Sequence, residues 1–184
     1  MIEKHSFNHY YNFKNYSPGF MKIKSAFFSA HLFCFSVVVL LAGEVASQPI
    51  PQFKMYLSDK TIFSAAELPK GKPVILIYFD PDCDHCQILM KEVFKKINQF
   101  KIAEIVMVTF KSIIELTAFE RKYNTHSYTN IIAGTEGSLF YLRNYYQLVK
   151  MPFIALYDKN KNLSYSYRQE TPVDDLIKRL KNLR

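Results

Sequence analysis

The chain has 184 residues, 49% of them apolar, with 16 Phe, 13 Tyr and a formal net charge of +8. That is enough for one ordinary domain with a real core plus a targeting segment, and it contains no repeat and no low-complexity tract. The basic residues are scattered rather than striped among aromatics, which argues against a nucleic-acid binder.

Residues 1–20 are polar and aromatic, without helical or strand period. Met21-Lys22-Ile23-Lys24 then precedes an apolar stretch from Ala26 to Ala42, with small residues at Ala46 and Ser47. A basic n-region, an apolar h-region and a small-residue cleavage site stand in the order of a secretory signal. The expectation is an upstream extension over 1–20, a signal peptide over 21–47 and a mature chain starting near Gln48. The competing reading is an uncleaved inner-membrane anchor, although the stretch is short against the roughly 20 residues that a span needs. Cys34 lies inside the h-region, so an exported chain keeps only Cys83 and Cys86. Two cysteines three apart close too short a loop to staple a fold, and their value is chemical. From Gln48 onward, 20 Lys and Arg stand against 14 Asp and Glu, a net of +6. Lys178, Arg179, Lys181 and Arg184 suit the end of a helix, whose dipole they complement.

From Gln48, a lead-in is followed by two short extended runs, Phe53 to Leu57 and Thr61 to Ser64, around the turn cluster Ser58-Asp59-Lys60. Val74 to Phe79 is a near-continuous apolar run, the pattern of a strand buried on both faces. Asp80-Pro81-Asp82 breaks it, with Asp82 a candidate N-cap. From His85 to Phe100 the apolar residues Ile88, Leu89, Val93, Phe94, Ile97 and Phe100 recur at helical spacing. Glu104 to Phe110 is the next buried strand. Ser112 to Tyr123 reads as a helix with a Ser112/Glu115 capping box. Thr125 to Thr135 reads as irregular or partly extended, and Ser138 to Val149 as a helix with Leu139, Leu142, Tyr146 and Leu148 on one side. Phe153 to Tyr157 and Leu163 to Tyr167 form a hairpin around an Asp-Lys-Asn turn. Thr171-Pro172 opens a last helix to Leu183, with Pro172 at its first position. The aromatic stretch Phe140 to Tyr146 is core plus helix surface, with a substrate-facing role as the alternative.

Between the first buried strand and its helix lies Cys83-Asp84-His85-Cys86. That spacing lets two sulfurs come within bonding distance across one helical turn. A helix start also offers free N–H groups beside the first sulfur, which favours its thiolate, the species that attacks disulfides. His85, when protonated, supports the thiolate, while Asp82 and Asp84 oppose it by repulsion.

The element order, the segment Tyr78-Phe79-Asp80-Pro81-Asp82-Cys83-Asp84-His85-Cys86, Met151-Pro152-Phe153 and the terminal Asp-Lys-Asn turn resemble the exported thioredoxin-like thiol–disulfide oxidoreductases of the TlpA/ResA type. The likeness covers about residues 53–184. It implies an α/β thioredoxin-like fold: a central mixed β-sheet flanked by helices, an N-terminal β extension over 48–72, a thioredoxin-like domain over 73–184, and a helical insertion before the cis-proline strand. It implies Cys83 as the attacking thiolate, Cys86 as the resolving thiol, His85 as a tuning residue and Pro152 as a cis-proline beside the pair. Met151 and Pro81 are the substrate-facing candidates. It implies protein thiols and disulfides as substrates, reduction rather than oxidation as the direction, a periplasmic location, and a membrane or periplasmic protein as electron donor. No dissociable cofactor is implied, since the cysteine pair carries two electrons.

The chain departs from the resemblance twice. Minimal thioredoxins carry an acid six residues before the first cysteine, where this chain has Ile77. ResA-type enzymes carry one three residues after the second cysteine, where it has Leu89. A different function class also remains open: a copper- or zinc-binding chaperone using Cys83, His85 and Cys86, with His126 or Asp80 recruited as a further ligand. A peroxidase asks for a Thr or Ser three residues before the cysteine, and that residue is Asp80.

Overall fold

The computed structural model describes residues 48–170 and 172–183. The expected upstream extension and signal peptide lie outside the described residues. Among those described, no helix is long and apolar enough to cross a membrane.

The elements in chain order are β1 (Lys54–Tyr56), β2 (Ile62–Ser64), β3 (Val74–Tyr78), α1 (Asp84–Lys95), β4 (Glu104–Thr109), α2 (Ile113–Tyr123), β5 (Ile131–Thr135), α3 (Tyr141–Tyr145), β6 (Phe153–Tyr157), β7 (Leu163–Arg168) and α4 (Val173–Lys181). They build one seven-stranded sheet in the order β2-β1-β5-β4-β3-β6-β7. The β3–β4 and β4–β5 pairs are parallel, while β3–β6 and β6–β7 are antiparallel. Every residue of β3, β4 and β6 is buried, as near-continuous apolar runs require of strands covered on both faces. This is the thioredoxin-like mixed sheet that the resemblance implies.

One core layer packs α1, α2 and α4 on the sheet through residues such as Ile75, Ile77, Leu89, Val93, Leu116 and Leu176. The other lies across the opposite face and includes Phe53, Met55, Leu76, Tyr78, Leu142 and Phe153. Alternate residues of β3 divide between the two layers, as a period of two dictates.

Several elements differ from the sequence expectations. The stretch read as irregular or partly extended over 125–135 contains a full strand, β5, internal to the sheet beside β4. Gly134 sits there because β1 runs close by: a Cβ at this position would stand 2.6 Å from Met55 Sδ and 3.0 Å from the Tyr56 carbonyl oxygen. The single helix expected over 138–149 is a short helix, α3. Positive φ at Phe140 (49°) and Gln147 (53°) ends it on both sides. Its start is held by the buried Glu136 carboxylate, which accepts the Leu142 N–H at 2.7 Å and the Tyr78 hydroxyl at 2.6 Å. Leu139, expected on the buried side, is 72% exposed. Ile88, likewise expected on the buried face of α1, is exposed, and a 3₁₀ turn (Ile97–Phe100) replaces the helix's last stretch. Pro172 is the N-cap of α4, one position ahead of the place expected.

Residues 48–50 run beside the β6–β7 turn. The Ile50 N–H donates to the Lys161 carbonyl at 2.9 Å and the Leu163 N–H to the Gln48 carbonyl at 2.8 Å. That turn lies at the end of β6 remote from Pro152.

Candidate functional site

The cysteine pair stands where β3 ends and α1 begins, at the carboxyl ends of two parallel strands, the usual place for sites in such sheets. After Tyr78 the chain keeps one further ladder bond, Phe79 N–H to the Val108 carbonyl at 3.0 Å, and then turns. The Asp80 carboxylate shapes the turn by accepting the Asp82 N–H at 2.9 Å. The Asp80 carbonyl accepts the Cys83 N–H at 3.2 Å, and Cys83 opens α1 by accepting the Gln87 N–H at 2.9 Å. The N-cap is therefore Cys83, in extended conformation, and not Asp82. Asp82 is drawn away because its carboxylate pairs with Lys111 at 2.6 Å.

Both cysteines are free thiols. Cys83 is partly exposed, and its thiol donates to the Met151 carbonyl at 3.8 Å. Cys86 is 1% exposed, one helical turn further in, and its sulfur accepts the Asp80 N–H at 3.5 Å. Burial pushes the Cys86 thiol up to about 12, with the nearby Cys83 and Asp80 adding to the rise against the opposing backbone bond.

The Met151–Pro152 bond is cis. Its place beside the cysteines follows from sheet register. Phe153 at the start of β6 pairs with Tyr78 at the end of β3, so the two residues before Phe153 overhang the loop that carries Cys83. Beyond them, the Gln169 N–H donates to the Pro152 carbonyl at 2.8 Å.

The structure thus brings Cys83, Cys86, Met151 and Pro152 together. Pro81 lies in the same loop, but its carbonyl is taken by the Gln87 side-chain amide at 3.0 Å. His85 is exposed and faces a shallow cleft shared with Ile88, Glu92, Gln169 and Pro172. On the other side of the loop, a cleft of about 220 Å³ runs past Asp80, Asp82, Cys86, Glu115, Lys122 and Tyr123.

His126, the further ligand considered for a metal site, is not in this neighbourhood. It lies after α2, with its Nε2 3.4 Å from the buried Glu120 carboxylate, in a separate cleft with Asp59 and Ala133. Among the described residues, no group of three or more His, Cys, Asp or Glu is placed to hold a metal ion. Asp80, where a peroxidase reading asks for Thr or Ser, uses its carboxylate to shape the loop and to face Lys111.

Two contributors escape the sequence reading. Gln87 braces the loop through Pro81. Lys111 sends its ammonium to Asp82 (2.6 Å), Asp80 (3.4 Å) and Glu115 (3.7 Å). Glu115 also completes the capping box of α2 with Ser112, as expected, and the Ser112 hydroxyl and N–H hold its carboxyl below the usual range. The available signal for Lys111 was positional: it stands two residues past the end of β4, the strand that pairs in parallel with the one leading to the cysteines.

A model of the AhpC/TSA family matches residues 46–179. No curated protein matches the chain. Among solved structures, the chain is similar to MTB dsbF (22% identity, 72% of this chain and 96% of that one, TM-score 0.61). It is similar to a secreted Mycobacterium tuberculosis disulfide oxidoreductase homologous to E. coli DsbE (18%, 72% and 96%, TM-score 0.60). A peroxiredoxin-like protein from Aquifex aeolicus is also similar (14%, 75% and 86%, TM-score 0.61). At these identities the structural likenesses establish the fold, which is thioredoxin-like.

Proposed function

The chain belongs to the AhpC/TSA family, and we propose that within that family it is a thiol–disulfide oxidoreductase acting on protein cysteines. One observation carries the reading: a partly exposed thiol at a helix start with a second, buried thiol one turn behind it. In the reductive direction, the Cys83 thiolate attacks a partner disulfide. The partner's S–S bond breaks, one partner sulfur leaves as a thiolate and takes a proton from water, and a Cys83–partner mixed disulfide forms. Cys86 then gives up its proton and attacks the Cys83 sulfur. The second partner sulfur leaves and is protonated, and the chain is left as a Cys83–Cys86 disulfide, oxidised by two electrons. The partner is reduced by the same two electrons.

The Met151 carbonyl beside Cys83 supports a docking mode in which an extended partner segment lies against the strand end at Met151 and Pro152. Pro81 and His85 flank that position. We assign the protein to the periplasm of a bacterium, exported by the segment 21–47, and to the reducing direction, with a membrane or periplasmic donor protein restoring the dithiol. A reduction potential near −270 mV fits a reductant, and one near −120 mV an oxidant, by comparison with known carriers.

The test is capture. Cys86→Ser cannot resolve the mixed disulfide, so it accumulates partner proteins joined through Cys83, and the joined species vanish when Cys83 is also replaced. Failure to capture any partner, together with no insulin reduction by the unaltered protein, would remove the reading.

A further inference from the structure

The cysteine loop carries an unusual charge load. Asp80 and Asp82 stand on either side of Pro81, immediately before Cys83, and Asp84 follows it. Asp80 is tied to both sulfur-bearing residues: its carbonyl accepts the Cys83 N–H at 3.2 Å, and its own N–H reaches the Cys86 sulfur at 3.5 Å. Carboxylates carried by the loop that holds both sulfurs oppose thiolate formation, and so oppose the species that the proposed chemistry needs. One cation answers two of the three aspartates. Lys111, only 22% exposed in its side chain, sets its ammonium 2.6 Å from Asp82 Oδ2 and 3.4 Å from Asp80 Oδ1, and its Nζ lies 5.7 Å from the Phe110 ring centroid. Asp82 in turn holds the Lys111 ammonium above its ordinary value. Other ionisable groups of the neighbourhood are Glu115 and Lys122 from α2, Asp84 and His85 from the first turn of α1, and Arg143, whose guanidinium carbon lies 5.8 Å from the same Phe110 ring centroid.

We propose that Lys111 is a positioning residue that offsets part of the charge of Asp80 and Asp82, and thereby keeps the Cys83 thiolate reactive in a loop whose own carboxylates would suppress it. The proposal rests on the reading that Cys83 is the attacking sulfur. The Lys111 ammonium meets carboxylates and neither sulfur. It acts by offsetting part of the field of two carboxylates and by anchoring their loop to the start of α2 through Glu115.

A charge cycle separates compensation from mere bracing. The readout is the rate at which reduced full-length protein is alkylated at Cys83 by iodoacetamide, an uncharged probe, near neutral pH. Lys111→Met leaves two bare carboxylates and slows alkylation about fivefold, the scale of one unit charge acting through a water-like dielectric. Asp80→Asn with Asp82→Asn removes two charges and speeds it by more than that factor. The triple variant, uncharged at all three positions where the unaltered protein carries a net of −1, runs about fivefold faster than the unaltered protein, whereas Lys111→Arg stays within about twofold of it. A triple variant as slow as Lys111→Met would reduce Lys111 to a structural strap, and an unchanged rate in Lys111→Met would overturn the proposal. If Lys111→Met unfolds, Cys86 becomes labelled as well, and the aspartate pair decides: without an acceleration there, the proposal fails. Insulin reduction by the unaltered protein is measured beside the cycle. Its absence with the cycle intact sinks the reductase reading alone, and its presence with the cycle broken sinks the Lys111 proposal alone.

Discussion

Burial divides two chemically identical side chains into different reagents. Cys83 is reachable and stands at the head of a helix, whereas Cys86 is 1% exposed and its thiol is pushed up to about 12. The sign of the pH effect follows. From pH 9 upward the unfolded chain's Cys86 ionises while the folded one stays protonated, so the folded state binds more protons and stability falls as pH rises. The reduced protein should therefore lose up to about 1.4 kcal/mol per pH unit through this group. Cys86→Ala should remove that share of the fall between pH 9 and 10, the unfolded-state ionisation of Tyr78, Tyr146, Tyr157 and Tyr167 supplying the same remainder in both proteins, and urea unfolding at the two pH values measures the difference. At this scale the sequence was most legible where chemistry is local. The cysteine spacing and the Ser112/Glu115 box need only neighbours in the chain. Lys111 was not legible, because its meaning comes from Asp80 and Asp82, about thirty residues away and joined to it only by strand pairing. Asp82 was misread as a cap for the same reason.

Elements whose pattern is set by burial on both faces, β3, β4 and β6, could be read directly as apolar runs. β5 could not. Its burial runs from half-buried Ile131 and Ile132 to buried Ala133, Gly134 and Thr135, and small residues carry little apolar signal. The small size is itself structural, since β1 crosses against Gly134. Gly134→Ala forces Met55 and the Tyr56 backbone aside and should cost about 1–3 kcal/mol, the scale of overpacking a closed core. Thermal unfolding measures the loss. Because the clash lies on the β1–β5 pair, disulfide exchange at Cys83 under native conditions should keep its rate. The helix expected over 138–149 failed for a tertiary reason: the Glu136 carboxylate recruits the Leu142 N–H and restarts the chain at Tyr141, leaving Leu139 outside. Apolar spacing alone does not register a buried acid acting as a cap.

For the whole molecule, the antiparallel pairing of β6 with β3 is the decisive piece of architecture. It carries Met151 and Pro152 across 65 or more residues of chain to the cysteine loop, while residues 48–50 are held against the β6–β7 turn at the other end of β6. The cysteine pair is thus left facing outward beside a strand end, and the fold reads as a holder for one reversible S–S bond. Equilibration of the reduced protein with glutathione buffers of graded ratio, followed by intact mass, tests this most directly. The account predicts a single two-electron transition in which the chain loses two hydrogen atoms and gains a Cys83–Cys86 disulfide, reversed when reduced glutathione is restored. A chain that stays dithiol at every ratio, or that ends as a glutathione adduct on Cys83 which Cys86 never displaces, would contradict it.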